Sequence, residues 1–425
     1  MQEAEIRDGG ALLGTTLGEF IELTRDVQKA VAGRVFARLG PRAALTKRYY
    51  DAIAATGYAA TRLSMRVIPA AAAAVAAHTG RADTESVHDS PRGHFAFSAL
   101  SGIWGDRLAE QRAALAPTLS MRTHDGPLRR TSADVVNDLG DDPTGKLAVF
   151  VHGLCESEHF WWFGAEKNLG DRGVTYGSLL REDLGWTPLY VRYNSGLHVS
   201  ENGRLMADYI QALISEWPVP VTEMALVGHS MGGLVARSAA HQAAVDNRTW
   251  TRTLRHIVGL GAPHLGAPLE RWVNAGTHAM AKVPETRPIA TWLNRRSAGI
   301  KDMRYGALVE DDWAGVDPDD RLDRCTPANL LPGVAYSMVS ATVSRNPKGP
   351  LAHDLLVEHV SAHGTGRRNA TRRIEFDADR LFHVGQRTHF HLLTDSVVYD
   401  QLRSWLDGSD GPAAATARLS QASAG

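Results

Sequence analysis

The spacing of apolar residues changes character near residue 117. From residue 11 to about 115 the apolar positions recur at helical intervals, with Phe20, Val27, Val31 and Val35 on one helical face and no strand alternation. Ser90-Pro91 supplies an N-cap and a first-turn proline for a further helix through "RGHFAFSALSGIWGDRLAEQ". The most apolar stretch, "VIPAAAAAVAAH" (67–78), contains Pro69 and follows Arg62 and Arg66. It falls short of the roughly 20 apolar residues that a membrane span needs, and predicts a buried or interfacial helix. Beyond Pro117, "TLSMRT" and "KLAVFVHGL" read as strands, with "DLGDDPTG" as the turn between them.

From there strand and helix alternate. "PLYVRYN" (188–194) is a strand, Ser200 caps a helix through "ENGRLMADYIQALISEW", and Pro218 and Pro220 end it. "EMALVGHS" is a strand, "MGGLVARSAAHQAA" a helix and "RHIVGLGAP" a strand. This order predicts an α/β fold, a mostly parallel sheet flanked by helices. Residues 262–332 break the alternation and predict a helical cap insertion over the carboxyl edge of the sheet. Strands resume with "GVAYSMVSATV" and "RLFHV", and "DSVVYDQLRSWL" closes the domain as a helix. The expected division is a helical extension (1–115), an α/β domain (116–407) carrying the insertion, and a disordered tail (408–425).

Composition adds mostly exclusions. The 425 residues hold 46 Lys and Arg against 47 Asp and Glu, so no overall field draws in nucleic acid. The basic run Arg367, Arg368, Arg372 and Arg373 reads as a solvated loop, with a phosphate or nucleic-acid patch as its alternative. Cys155 and Cys325 have no metal spacing and read as free thiols, although a single bridge is not excluded by sequence. The acidic start lacks an apolar signal region, so a cytoplasmic location is expected, and the sequons at Asn247 and Asn369 carry little meaning there.

Candidate chemistry centres on Gly228-His229-Ser230-Met231-Gly232, a G-x-S-x-G pattern between an expected strand and an expected helix. A sharp turn there lifts Ser230 clear of the sheet, and crowding two residues either side demands glycine. It also sets the Met231 N–H at a helix amino end, where it can receive an oxyanion. His152-Gly153 ends a neighbouring strand, making the Leu154 N–H the second donor candidate. His229 reads as structural. Ser230 needs a base oriented by a carboxylate, with the order Ser, acid, His. Position after the last strand leaves His389 and His391, of which His389 sits nearer the loop. Asp354 is the acid candidate, with Glu358, Asp377 and Asp379 as competitors.

The segments "VHGLCESEHFWW", "RYNSGLHVSENGR", "WPVPVTEMALVGHSMGGLVARSA", "GAPHLGAP", "HDLLVEHVSAHG" and "THFHLLTDSVVYDQLRSWL" resemble bacterial α/β-hydrolases similar to the GPI inositol-deacylase and triacylglycerol-lipase families. "SALSGIWGDRLA" extends the likeness more weakly into the helical region. Asp354 matches the family's acid motif and His389 its base motif, while Leu355 stands where glycine is usual, Glu358 where proline is usual and His391 where aspartate is usual. The resemblance implies carboxyl-ester hydrolysis through an acyl-enzyme by Ser230, His389 and Asp354, without metal or organic cofactor, on a small-molecule or lipid ester. An acyltransferase or thioesterase would use the same triad. A non-catalytic alternative is a membrane-peripheral scaffold, in which the amino-terminal helices serve membrane contact or self-association. Trp272, Trp292 and Trp313 in the insertion either line an acyl pocket or pack the insertion.

Overall fold

The computed structural model describes residues 2–79, 86, 88–89, 93–111, 114–129, 131–139, 143–326, 328–347, 352–366 and 372–407. Ser90-Pro91, Arg367, Arg368, Asn369 and the tail 408–425 lie outside them. In chain order the elements begin with α1 (Glu3–Leu39), α2 (Ala44–Thr79) and α3 (Gly93–Glu110), followed by β1 (Ser120–Arg122), α4 (Ser132–Leu139) and β2 (Lys146–Val151). Next come α5 (Ala165–Leu169), α6 (Tyr176–Leu184), β3 (Thr187–Arg192), α7 (Val199–Ser215), β4 (Glu223–His229), α8 (Met231–Val245) and β5 (Leu254–Leu260). The chain continues through α9 (Pro268–Ala281), α10 (Arg287–Leu293), α11 (Ala298–Asp302), β6 (Ala335–Thr342), α12 (His359–Ala362), β7 (Leu381–Gly385) and α13 (Ser396–Leu406). Two compact units emerge: Met1–Phe97 with Arg107–Ala116 and Arg271–Arg296, and Ser98–Asp106 with Pro117–Glu270 and Ser297–Gly425.

In the first unit α1 and α2 form a helical hairpin that packs through small residues. Gly10, Gly14 and Gly18 recur every four residues, on one side of α1. A Cβ at Gly14 would lie 2.5 Å from the Arg66 carbonyl oxygen, and one at Gly10 would lie 2.1 Å from the Ala73 Cβ. Because α2 meets α1 through Arg66, Pro69 and Ala73, the apolar positions that sequence singles out face away. Phe20, Val31 and Val35 are exposed, as are Val67, Ile68 and Val75. The stretch 67–78 is therefore helical, as expected, but mostly exposed rather than buried. Ion pairs Arg62–Glu22 (2.6 Å) and Arg34–Glu285 (2.6 Å) brace the unit.

The second unit holds a seven-stranded sheet in the order β1-β3-β2-β4-β5-β6-β7, parallel except that β1 runs antiparallel to β3. Its central strands are apolar on both faces, as a sheet covered by helices on each side requires. Leu147, Val149 and Val151 of β2 share one core with Leu226, Ile210 and Leu234. Ala148 and Phe150 share the other with Val227, Trp161 and Leu402. This is the α/β-hydrolase fold, and it brings the carboxyl ends of β2, β4, β6 and β7 to one edge.

Local details depart from expectation. The segment between β1 and β2 contains α4, and β1 pairs with β3 rather than β2. Ser200 lies inside α7; the Asp302 carboxylate caps that helix by accepting the Val199 N–H at 2.7 Å, and Glu201 accepts the His198 N–H at 3.0 Å. Between β5 and β6 the described residues form α9, α10 and α11 without a strand, and residues 271–296 of this stretch cluster with the first unit. Residues 98–106 cluster with the α/β unit. Cys155 and Cys325 are both free thiols. Among the described residues no helix is long and apolar enough to cross a membrane.

Candidate active site

Ser230 sits between the end of β4 and the start of α8 with φ 53° and ψ −125°, a conformation that L residues adopt only when their surroundings impose it. The flanking glycines explain the constraint. A Cβ at Gly232 would lie 2.2 Å from the Val151 carbonyl oxygen, and one at Gly228 would lie 2.4 Å from the Gly232 carbonyl carbon. The Ser230 N–H donates to the Leu260 carbonyl at 2.8 Å, fixing the turn to β5. Met231 opens α8, so its N–H belongs to the first-turn donors that have no partner within the helix.

The other two expected residues come together from loops after β6 and β7. His389 Nδ1 lies 2.6 Å from Asp354 Oδ2, and both side chains are buried. Asp354 Oδ1 accepts the N–H groups of Leu356 (3.0 Å) and Val357 (2.8 Å), while the Asp354 carbonyl accepts the His389 N–H (3.0 Å). Burial opposes the Asp354 charge, but the His389 charge and these hydrogen bonds outweigh it and hold the carboxyl below its ordinary value. Burial likewise opposes charge on His389, yet Asp354, with help from Glu156, raises the imidazole above its ordinary value. His389 Nε2 is buried with no hydrogen-bond partner among the described residues, so no hydrogen bond joins it to Ser230. Such contacts often tighten only when substrate arrives.

The competitors are engaged elsewhere. His391 Nδ1 lies 2.7 Å from the Thr388 hydroxyl. Asp377 accepts the Asp379 N–H at 3.1 Å, and both are exposed. Glu358 precedes α12 as its N-cap residue. The acid loop adopts a turn that puts Leu355 at φ 90°, the left-handed region that favours glycine.

The loop after β2 carries more than sequence reasoning found. Gly153 is in close approach to the nucleophile, since a Cβ there would lie 2.9 Å from Ser230 Cβ. Its N–H donates to Glu156 Oε2 at 2.6 Å, while the Leu154 N–H has no acceptor among the described residues. Glu156 is buried and also contacts His229 Nδ1 (2.9 Å to Oε1), while His229 Nε2 lies 3.2 Å from the His389 carbonyl oxygen. The His229 and His389 rings are 4.6 Å apart. Burial opposes the Glu156 charge, but His229, the Gly153 N–H and His389 together hold its carboxyl below the ordinary value. His229, read from sequence as structural, thus braces the loop that carries His389.

Glu158, two residues on, anchors the same loop to the sheet. It meets Arg192 at Nε (2.9 Å) and Arg122 at Nε (2.8 Å), all three buried. The available signal was a pair of glutamates within "CESEHFWW", carboxylates set in an apolar exit from a strand where few solvated charges belong. Cys155, just before them, is no rival nucleophile, because burial pushes its thiol up to about 11. Its N–H donates to Ser195 Oγ (3.2 Å), and neighbouring Asn194 donates through Nδ2 to the Gly105 carbonyl (2.7 Å). The small residues of "SALSGIWGDRLA" therefore support this loop within the α/β unit. Of the three tryptophans, Trp272 is exposed, Trp292 is half-buried, and Trp313 stacks on His198 at 3.8 Å and donates to Ser200 Oγ at 2.9 Å.

The PGAP1-like alpha/beta domain family matches residues 193–314. No curated protein matches the chain. Among solved structures, the mature lipase BlEst2 of Bacillus licheniformis is 16% identical, with a TM-score of 0.39 over 62% of this chain and 93% of that one. The product of gene lin2722 from Listeria innocua is 14% identical, with a TM-score of 0.36 over 64% of this chain and 96% of its own. A lipase of Staphylococcus hyicus is 12% identical, with a TM-score of 0.35 over 67% and 99%. The chain is an α/β-hydrolase fold protein that resembles the PGAP1-like and lipase families.

Proposed function

We propose that the protein is a serine hydrolase that cleaves carboxylic esters through an acyl-enzyme. The observation that carries this reading is the buried Asp354–His389 pair, whose unpartnered Nε2 belongs to an imidazole packed against the residue preceding a strained Ser230. In the proposed reaction Ser230 Oγ attacks the ester carbonyl as its proton passes to His389 Nε2. The Met231 and Leu154 N–H groups receive the oxyanion, each such donor being worth about 2.7 to 4 kcal/mol. Collapse breaks the ester C–O bond, and His389 returns the proton to the leaving alcohol. Water then repeats the sequence, releasing the acid and restoring Ser230. Asp354 holds one imidazole tautomer and stabilises the imidazolium.

The substrate is proposed to be a small-molecule or lipid ester, and no step calls for a metal or organic cofactor. Acyl transfer to an alcohol or hydrolysis of a thioester would use the same groups, and the acceptor decides between them. Turnover of 4-nitrophenyl acyl esters graded by chain length, with products separated in the presence of competing alcohols, tests the assignment. Free acid as the main product supports the hydrolase; an acyl ester of the added alcohol as the main product supports the transferase. No turnover of any ester by folded protein contradicts both.

A further inference from the structure

The basic run noted in the sequence has an unexpected partner inside the α/β unit. Arg237 lies on α8, two turns beyond Ser230, and is 4% exposed. A buried guanidinium ordinarily has a carboxylate beside it. Among the described residues Arg237 has none; its one hydrogen bond there is with His264 Nδ1 at 3.2 Å, and its face rests on the Phe376 ring at 5.5 Å. His264 is no counter-ion, since an imidazole is neutral or positive, and burial and Arg237 itself oppose its protonation.

Arg237 lines a cavity of about 320 Å³, within the usual range for small-ligand pockets. Arg372 and Arg373 line it as well, and Glu375 is the one acidic residue among the described lining. Arg372 is also held by the Tyr305 carbonyl, with the Asp323 carboxylate 3.5 Å from its Nε. The described lining therefore carries three positive charges and one negative. Leu308, Leu330 and Ile374 add apolar side chains to the lining. Neither Ser230, Asp354 nor His389 borders the cavity.

We propose that this cavity binds a small organic oxyanion, a carboxylate or phosphate on a short apolar body, with Arg237, Arg372 and Arg373 meeting the anion and Leu308, Leu330 and Ile374 its apolar part. Guanidinium groups suit such a ligand because their planar N–H pairs match two oxygens at once. The site does not depend on the hydrolase reading.

Calorimetric titration of the full-length protein with octanoate, octyl phosphate, inorganic phosphate and neutral octyl glucoside tests it. At least one octyl anion should bind, with Kd below about 1 mM. Exposed Arg373 can be altered without disturbing the core, and Arg373→Glu should weaken that binding at least about tenfold. Arg237→Gln should abolish it in protein whose circular dichroism is unchanged. If octanoate and octyl phosphate both bind, the site recognises the oxyanion generally; if one alone binds, that one is its class. Absence of binding by both octyl anions would overturn the proposal. So would octyl glucoside binding equally well, inorganic phosphate matching the octyl anions, or anion affinity untouched by Arg373→Glu.

Discussion

Replacing Glu158 by glutamine removes a carboxylate shared by two buried arginines, and its effect can be worked from the structure. Burial opposes charge on Glu158, but the hydrogen bond and charge of Arg192 and the charge of Arg122 prevail, lowering the carboxyl from 4.5 to about 2. Such a difference between folded and unfolded states corresponds to about 3 kcal/mol of stability. Because the folded value is the depressed one, that contribution is complete above pH 4.5 and lost as pH falls towards 2. At pH 3 it should have dropped to about half or less. Urea unfolding followed by tryptophan fluorescence measures it. With a slope of about 3 kcal/mol/M, Glu158→Gln should lower the midpoint by about 1 M at pH 7, shrinking to under about 0.5 M at pH 3. A midpoint shift under about 0.2 M at pH 7, or one that stays constant down to pH 3, would refute the reasoning. The loop carrying Leu154 should loosen in step, so the proposed esterase activity should fall before the variant unfolds.

Two further predictions concern the site. Glu156 raises His389 through its charge, so Glu156→Gln should move the acid limb of kcat/KM to lower pH, by less than about one unit, alongside a lower plateau; a pH–rate profile with an unmoved limb counts against the assignment. Leu355 occupies a left-handed conformation at φ 90° and is exposed, so Leu355→Gly should relieve strain and raise stability by up to about 1 kcal/mol with activity kept; a lowered melting temperature would contradict this.

The order of strands and the elbow around Ser230 were legible because they rest on local signals: apolar runs, glycine spacing and the strand-to-helix change. Asp354 and His389 were legible as the favoured candidates through chain order and family motif, but the contact between their loops, 35 residues apart, was not. Glu156 and Glu158 left a signal as carboxylates in an apolar strand exit, but their partners were not legible, since a glutamate's letter does not reveal whether an arginine from another strand or a histidine from the next elbow awaits it. Which face of α1 is covered was not legible for a related reason. Period alone marks Phe20, Val31 and Val35, whereas the close approach at Gly10, Gly14 and Gly18 decides which side meets α2. Likewise Asp302 caps α7 from more than 100 residues away, a contact that no local capping rule could locate.

The central claim, that Ser230 is a nucleophile activated by His389, is tested most directly by intact-mass labelling with a fluorophosphonate probe on the wild type, Ser230→Ala and His389→Ala. The account predicts one adduct on the wild type, none on Ser230→Ala and severely slowed labelling on His389→Ala. A folded wild type that takes no adduct, or an adduct that persists in Ser230→Ala, would contradict it.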